Sequence, residues 1–242
     1  MKLLFFGASD VGLVRLSNQD AHYIDKNGKF FIVADGMGGH AGGEEASRIA
    51  TEEIQAYISE NWDSPKTSPQ LLEGALIQAN AAILADQHEH PERADMGTTV
   101  VGVMFRNDEP YCVHIGDSRL YRFRSGQLEQ MTEDHTWVSR AIKLGDMTVE
   151  EAREHPLRHV LSRCLGREEM QNFDIQQLDI QVGDILLLCS DGLTEELSNQ
   201  EIVSQLQTHG SNLEQAAQNL IEAAKSKGGH DNITLILVAV EE

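Results

Sequence analysis

The sequence predicts an α+β fold in which mostly antiparallel sheets are covered by pairs of helices. Strand-like apolar runs come in groups, separated by pairs of amphipathic helical stretches. That grouping differs from the one-for-one alternation of strand and helix that marks a parallel sheet. No repeat, low-complexity tract or linker divides residues 1–242, so one domain is expected.

The first strands are His22–Asp25 and Lys29–Asp35, flanking Asn27-Gly28, a pair suited to a two-residue hairpin turn with positive φ. Phe30–Ala34 is apolar throughout, as expected when both faces of a strand are buried. A glycine-rich loop over 36–43 leads into a helix from about Glu44 to Trp62, striped by Ala46, Ile49, Ala50, Ile54, Tyr57 and Ile58. Ser68-Pro69 reads as N-cap and first helical residue of a second helix, which reaches about His88.

Short strands follow at Thr98–Phe105, Tyr111–Ile115, Leu120–Phe123 and Gln127–Met131, with a hairpin turn at Ser125-Gly126. From Asp134 to Gly166 the pattern breaks into a polar excursion without strands. It holds helical pieces near Trp137–Leu144 and Thr148–Glu154, the second opened by a capping box. An excursion of this length suits a lid or binding loop. Strands return at Phe173–Ile180 and Asp184–Cys189. Two helices then start at capping boxes, Ser198 to Glu201 and Ser211 to Glu214, and Ile233–Val240 is the last strand.

The net charge of −20 disfavours nucleic acid and anionic membrane as partners, because both need positive fields. Three scattered cysteines lack zinc-ligand or disulfide-framework spacing. The opening MKLLFFGASD is too short in apolar residues for a signal peptide or a span, so a cytoplasmic protein is expected. No exposed heptad seam argues for assembly, and a monomer is expected.

The chemistry is carried by aspartates at strand ends. Phe31–Ala34 runs into Asp35-Gly36, Leu186–Ser190 into Asp191-Gly192, and Val113–Gly116 into Asp117-Ser118; Asp231 precedes the last strand. One Asp-Gly after a strand is ordinary turn chemistry. Recurrence changes the reading, since strand ends gather at one rim and converging carboxylates repel unless a cation lies between them. Oxygen ligands suit hard divalent ions such as Mg²⁺ and Mn²⁺. Glycine beside the aspartate lets the main chain approach, so that a carbonyl can join the ligands. Two such ions side by side suit phosphate ester hydrolysis, with an arginine to grip phosphate oxygens. The segment Gly12–Asp20 offers Arg15 and Asp20.

At these residues the sequence resembles the PP2C (PPM) family of metal-dependent Ser/Thr protein phosphatases, bacterial type. The likeness runs nearly end to end through Arg15 to His22, Val33-Ala34-Asp35-Gly36-Met37-Gly38-Gly39-His40, Gly97-Thr98-Thr99, Gly116-Asp117-Ser118-Arg119, Ser190-Asp191-Gly192-Leu193 and Asp231-Asn232-Ile233-Thr234. Within the family it resembles the compact cyanobacterial enzymes that dephosphorylate the PII nitrogen-signalling protein.

The resemblance implies a four-layer α-β-β-α sandwich with a flap at about 134–166. It implies that Asp35 bridges two metal ions, with the Gly36 carbonyl on one and Asp191 and Asp231 on the other. Asp20 would act through water, and Asp117 with Asp191 would hold a weaker third ion. Arg15 would bind the substrate phosphate of a phosphoprotein, with phosphorylated PII as one substrate. Met37 departs from the many eukaryotic members that carry histidine there, and methionine cannot donate a proton. His40 is either a substitute proton donor or a solvated loop residue. His22 is expected to brace the Asp20 strand by hydrogen bonding. His135 and His159 receive no role beyond a substrate contact. The competing readings are a non-catalytic relative, against which the complete aspartate set argues, and a phosphatase of small metabolites.

Overall fold

Alternation along each apolar strand sends side chains to two faces, and here both faces find cover. The computed structural model describes residues 2–39, 42–107, 109–169 and 172–242, excepting the side chains of residues 153 and 154.

One sheet runs in the spatial order β1 (Lys2–Asp10), β11 (Ile233–Glu241), β10 (Ile185–Cys189), β7 (Arg119–Arg124) and β8 (Gln127–Gln130). The other runs β2 (Asp20–Ile24), β3 (Phe30–Met37), β5 (Val100–Arg106), β6 (Glu109–Ile115) and β9 (Asp174–Gln177), with the two-residue β4 (Gly97–Thr98) on the end of β3. Every pairing is antiparallel.

Three apolar layers hold the stack together. Phe30, Ile32 and Ala34 of β3 pack under the helices α1 (Gly42–Asn61) and α2 (Ser68–Glu89). Phe31 and Val33, on the opposite face, meet Leu186, Leu188, Ile236 and Val238 between the sheets. Ile233, Leu235 and Leu237 of β11 turn the other way, under α6 (Asn199–His209) and α7 (Leu213–Lys227). The result is the four-layer α-β-β-α sandwich expected. Phe31 is fully buried at its centre, and truncation to alanine there would cost about 3–5 kcal/mol.

Between β8 and β9 the chain leaves the sheets, forming α3 (Trp137–Leu144) and α4 (Val149–Glu154). This flap is rooted by backbone pairing, with bridges Thr136–Leu161 and Thr98–Leu165. All three cysteines are buried and none is in a disulfide, and burial pushes the Cys112 and Cys189 thiols up to about 12, which leaves them unreactive.

Several local expectations need correction. β1 carries no strand expectation from the sequence, yet it pairs with all of β11. Only Gly28 of the Asn27-Gly28 pair has positive φ. Asp25 organises a longer loop, its Oδ1 accepting from the Asn27 and Lys29 amides. The N-cap of α2 is Thr67, not Ser68, because Gln70 reciprocates in a capping box with Thr67. Asn212, not Ser211, caps α7. Asp191-Gly192 is no simple turn but the start of a short helix, α5 (Asp191–Glu196).

Candidate metal centre

Five predicted aspartates arrive at one rim from separate parts of the chain. Asp20 opens β2 and stands directly opposite Asp35 of β3 in the strand register. Asp117 follows β6, Asp191 opens α5, and Asp231 precedes β11. Each keeps partial access to solvent, while the carboxyls of Asp20, Asp35, Asp117 and Asp191 are densely surrounded by protein atoms.

Their electrostatics follow from that crowding. Burial pushes the Asp20 carboxyl up to about 7 despite hydrogen bonds from Thr234 and Ser190, and the charges of Asp191 and Asp231 add to the rise. Asp35 is driven well above the usual carboxylate range by burial, then by Asp20, Asp191, Asp117 and Asp231. Burial and the Asp191 charge raise Asp117 likewise, with Arg119 opposing. Asp191 is raised by burial and by the Asp231 charge, with Asp35, His159 and Arg119 opposing. Asp20 Oδ1 and Asp191 Oδ1 are buried without hydrogen-bond partners among the described residues. Buried carboxylate oxygens with nothing to bond are costly unless a cation satisfies them. An all-oxygen donor set of this kind fits Mg²⁺ or Mn²⁺.

Neighbouring polar groups fix the aspartates in place. Ser190 Oγ donates to Asp20 Oδ2 at 2.8 Å. The Asp35 amide donates to Thr99 Oγ1 at 3.0 Å, and Thr99 Oγ1 meets Ser118 Oγ at 2.6 Å, so one hydroxyl links the Asp35 and Asp117 segments. Gly36 has no room for a side chain, because a Cβ would strike the Gly43 and Gln19 carbonyls. Asn232 donates to the Val11 and Ser17 carbonyls and accepts from the Gln19 amide. It thereby pins the loop that carries Arg15.

Arg15 Nη2 lies 2.6 Å from Asp231 Oδ2, with half of the arginine side chain exposed. The predicted phosphate ligand therefore stands beside the carboxylates. Met37 is the last residue of β3. His40 lies outside the described residues. The His22 side chain makes no hydrogen bond among the described residues; its ring packs over Gly7 of β1, correcting the expected brace.

Two histidines of the flap segment acquire partners that the sequence did not reveal. His159 Nδ1 lies 2.7 Å from Glu195 Oε1, and both have an atom within 4.8 Å of Asp191. Burial and the charges of Asp191 and Asp231 push Glu195 up to about 7. His135 gathers with His114 and Asp174 within 4.8 Å, a spacing that suits a metal. The hydrogen bonds argue otherwise. The Gly116 amide can only donate, and it donates to His135 Nδ1 at 3.1 Å. The ring proton therefore sits on Nε2, aimed at Asp174 Oδ2 at 3.0 Å, leaving no lone pair there for an ion. These contacts join residues far apart in sequence, which is why no local motif announced them.

The family model described as Protein phosphatase 2C matches residues 14–227. The serine/threonine protein phosphatase PstP of Mycobacterium tuberculosis is 36% identical over 98% of this chain, which spans 45% of that protein's length. The protein phosphatase PhpP of Streptococcus pneumoniae is 34% identical over 97% of this chain and 96% of its own. Among solved structures, that of the M. tuberculosis serine/threonine phosphatase PstP/Ppp superposes with a TM-score of 0.89, at 36% identity and 99% coverage of both chains. The catalytic domain of PstP in complex with two manganese ions gives a TM-score of 0.86 at 35% identity, again with 99% of both chains covered.

Proposed function

Because the chain belongs to the protein phosphatase 2C family, we propose that it is a metal-dependent serine/threonine phosphatase of phosphoproteins. The observation that carries this reading is the carboxylate cluster, with buried oxygens on Asp20 and Asp191 that find no partner among the described residues. We assign Asp35 the bridging position between two Mg²⁺ or Mn²⁺ ions. The Gly36 carbonyl serves one ion, and Asp191 and Asp231 serve the other. Asp20 supports them through water. Asp117, with Asp191, takes a weaker third ion. Bound there, the ions supply a water acidic enough to attack at neutral pH and offset charge on the phosphoryl oxygens.

The chain's own residues supply binding and orientation. Asp231 keeps the Arg15 guanidinium at the rim, where its planar donors suit two phosphate oxygens. Asn232 fixes the loop, so the guanidinium is preorganised and little ordering remains for substrate to impose. Met37 has no proton to give. The proton for the leaving alkoxide comes from solvent water at the site or from His40.

The flap, about 134–166, selects the substrate, and its rooting beside Thr98 puts it at the edge of the cluster. The sequence likeness to cyanobacterial enzymes favours phosphorylated PII as that substrate. Residues 1–242 act as one phosphatase domain, monomeric and cytoplasmic in this reading.

The test is phosphate release from a phosphothreonine peptide, a phosphorylated PII protein and a sugar phosphate, all with Mn²⁺. Asp35→Ala and Asp191→Ala should abolish turnover, and an unaffected Asp191→Ala enzyme contradicts the assignment. A sugar phosphate turned over faster than both protein substrates contradicts the phosphoprotein reading. A PII rate no better than the peptide's removes PII alone.

A further inference from the structure

We propose that His135 is a positioning residue that fixes the Gly116–Asp117 turn onto the root of the flap. The inference rests on the reading of Asp117 as a metal ligand.

His135 holds Gly116 at two points. The His135 amide donates to the Gly116 carbonyl at 2.8 Å, and the Gly116 amide donates to His135 Nδ1 at 3.1 Å. Gly116 has φ +108°, and a Cβ there would meet Thr99 at 2.5 Å. The turn therefore has a conformation that only glycine takes readily, and a side chain from another segment secures it. The next residue is Asp117.

The other side of the ring faces the flap. Nε2 donates to Asp174 Oδ2 at 3.0 Å, and Arg163 Nη1, on the returning flap segment, reaches Asp174 Oδ1 at 3.2 Å. The His135 carbonyl accepts the Ser162 amide at 2.8 Å. One residue, only 6% exposed, thus bonds to the metal-side turn, to β9 and to the flap's return. The Gly116 amide sets its tautomer, leaving Nδ1 to accept and the proton on Nε2 towards Asp174, with Arg163 Nη1 also 3.3 Å from Nε2. Groups that orient a ligand without touching the ion govern affinity strongly.

The two ring nitrogens can be tested apart, because an asparagine amide reaches the place of Nδ1 and a glutamine amide that of Nε2. The measurements are amide hydrogen exchange at Gly116 in metal-free protein and calorimetric Mn²⁺ titration, with thermal midpoints recorded for every variant. His135→Ala and His135→Gln should speed exchange at Gly116 about 10-fold. They should also weaken the weakest Mn²⁺ site about 10-fold or more. His135→Asn should restore both towards the wild-type values. Asparagine as defective as alanine, or all three variants behaving as wild type, overturns the proposal. Asp117→Ala separates it from the underlying reading. If the weakest Mn²⁺ site survives that substitution, Asp117 is not a ligand, while exchange at Gly116 still decides whether His135 holds the turn.

Discussion

Asp20 and Asp35 face each other directly across the β2–β3 pair, two carboxyl groups at opposed positions in the register. Opposed like charges destabilise a sheet, so this pair works against folding in the metal-free chain. Asp20→Asn keeps an acceptor for Ser190 and removes the charge. It should raise metal-free stability by on the order of 1 kcal/mol while weakening stabilisation by Mn²⁺. Urea denaturation with chelator and with Mn²⁺ checks both. A variant less stable than wild type in chelator contradicts the view that this carboxyl is strained by its neighbours.

The pH dependence follows from the same crowding. A raised carboxyl pKa means that the folded chain keeps a proton which the unfolded chain has released. Stability from such a group is complete below its ordinary 3.8 and is lost as pH rises, for Asp20 up to about 7. Each group contributes about 1.4 kcal/mol per pH unit at most inside that window. Metal-free protein should therefore melt lower at pH 8 than at pH 5. Saturating Mn²⁺, which favours ionised carboxylates, should remove or reverse the trend. Parallel melting curves with and without Mn²⁺ at both pH values would oppose this account.

Arg15 is half exposed, so its pair with Asp231 adds little to stability. Arg15→Ala should change the unfolding free energy by less than about 1 kcal/mol. Its kcat/KM on a phosphopeptide should fall roughly 10- to 100-fold, the worth of charged hydrogen bonds to phosphate. Arg15→Lys should recover part of the loss, since an ammonium restores charge but not the planar fork. Steady-state kinetics and a denaturation curve separate the two effects.

Thr99 is buried and joins the Asp35 amide to Ser118. Thr99→Val preserves shape and strands both partners, at a cost of about 1–3 kcal/mol for each unsatisfied group. Thr99→Ser keeps the hydroxyl and should stay within about 1 kcal/mol of wild type. Denaturation midpoints for the two variants provide the comparison.

Much of this architecture was legible because strands buried on both faces declare themselves. Phe30–Ala34 and Leu186–Cys189 are apolar without interruption, and each aspartate stands just beyond such a run or shortly before one. β1 was missed because its residues are only half-buried at a sheet edge, which blurs the apolar pattern. α5 was missed because six residues are too few for a helical period to show. The Thr67 cap competed with an equally plausible Ser68-Pro69, and the reciprocal bond of Gln70 decided between them. The positions of His135, His159 and Glu195 depend on how the flap folds back on the sheets. Their partners lie 19 to 39 residues away, beyond the reach of any local pattern.

The central claim is that the aspartate cluster works by holding divalent cations. Phosphate release from a phosphothreonine peptide, followed through complete chelation and then titration with Mn²⁺, tests it most directly. Activity should disappear on chelation and return with Mn²⁺. Full activity in protein shown by elemental analysis to be free of divalent metal would contradict the claim.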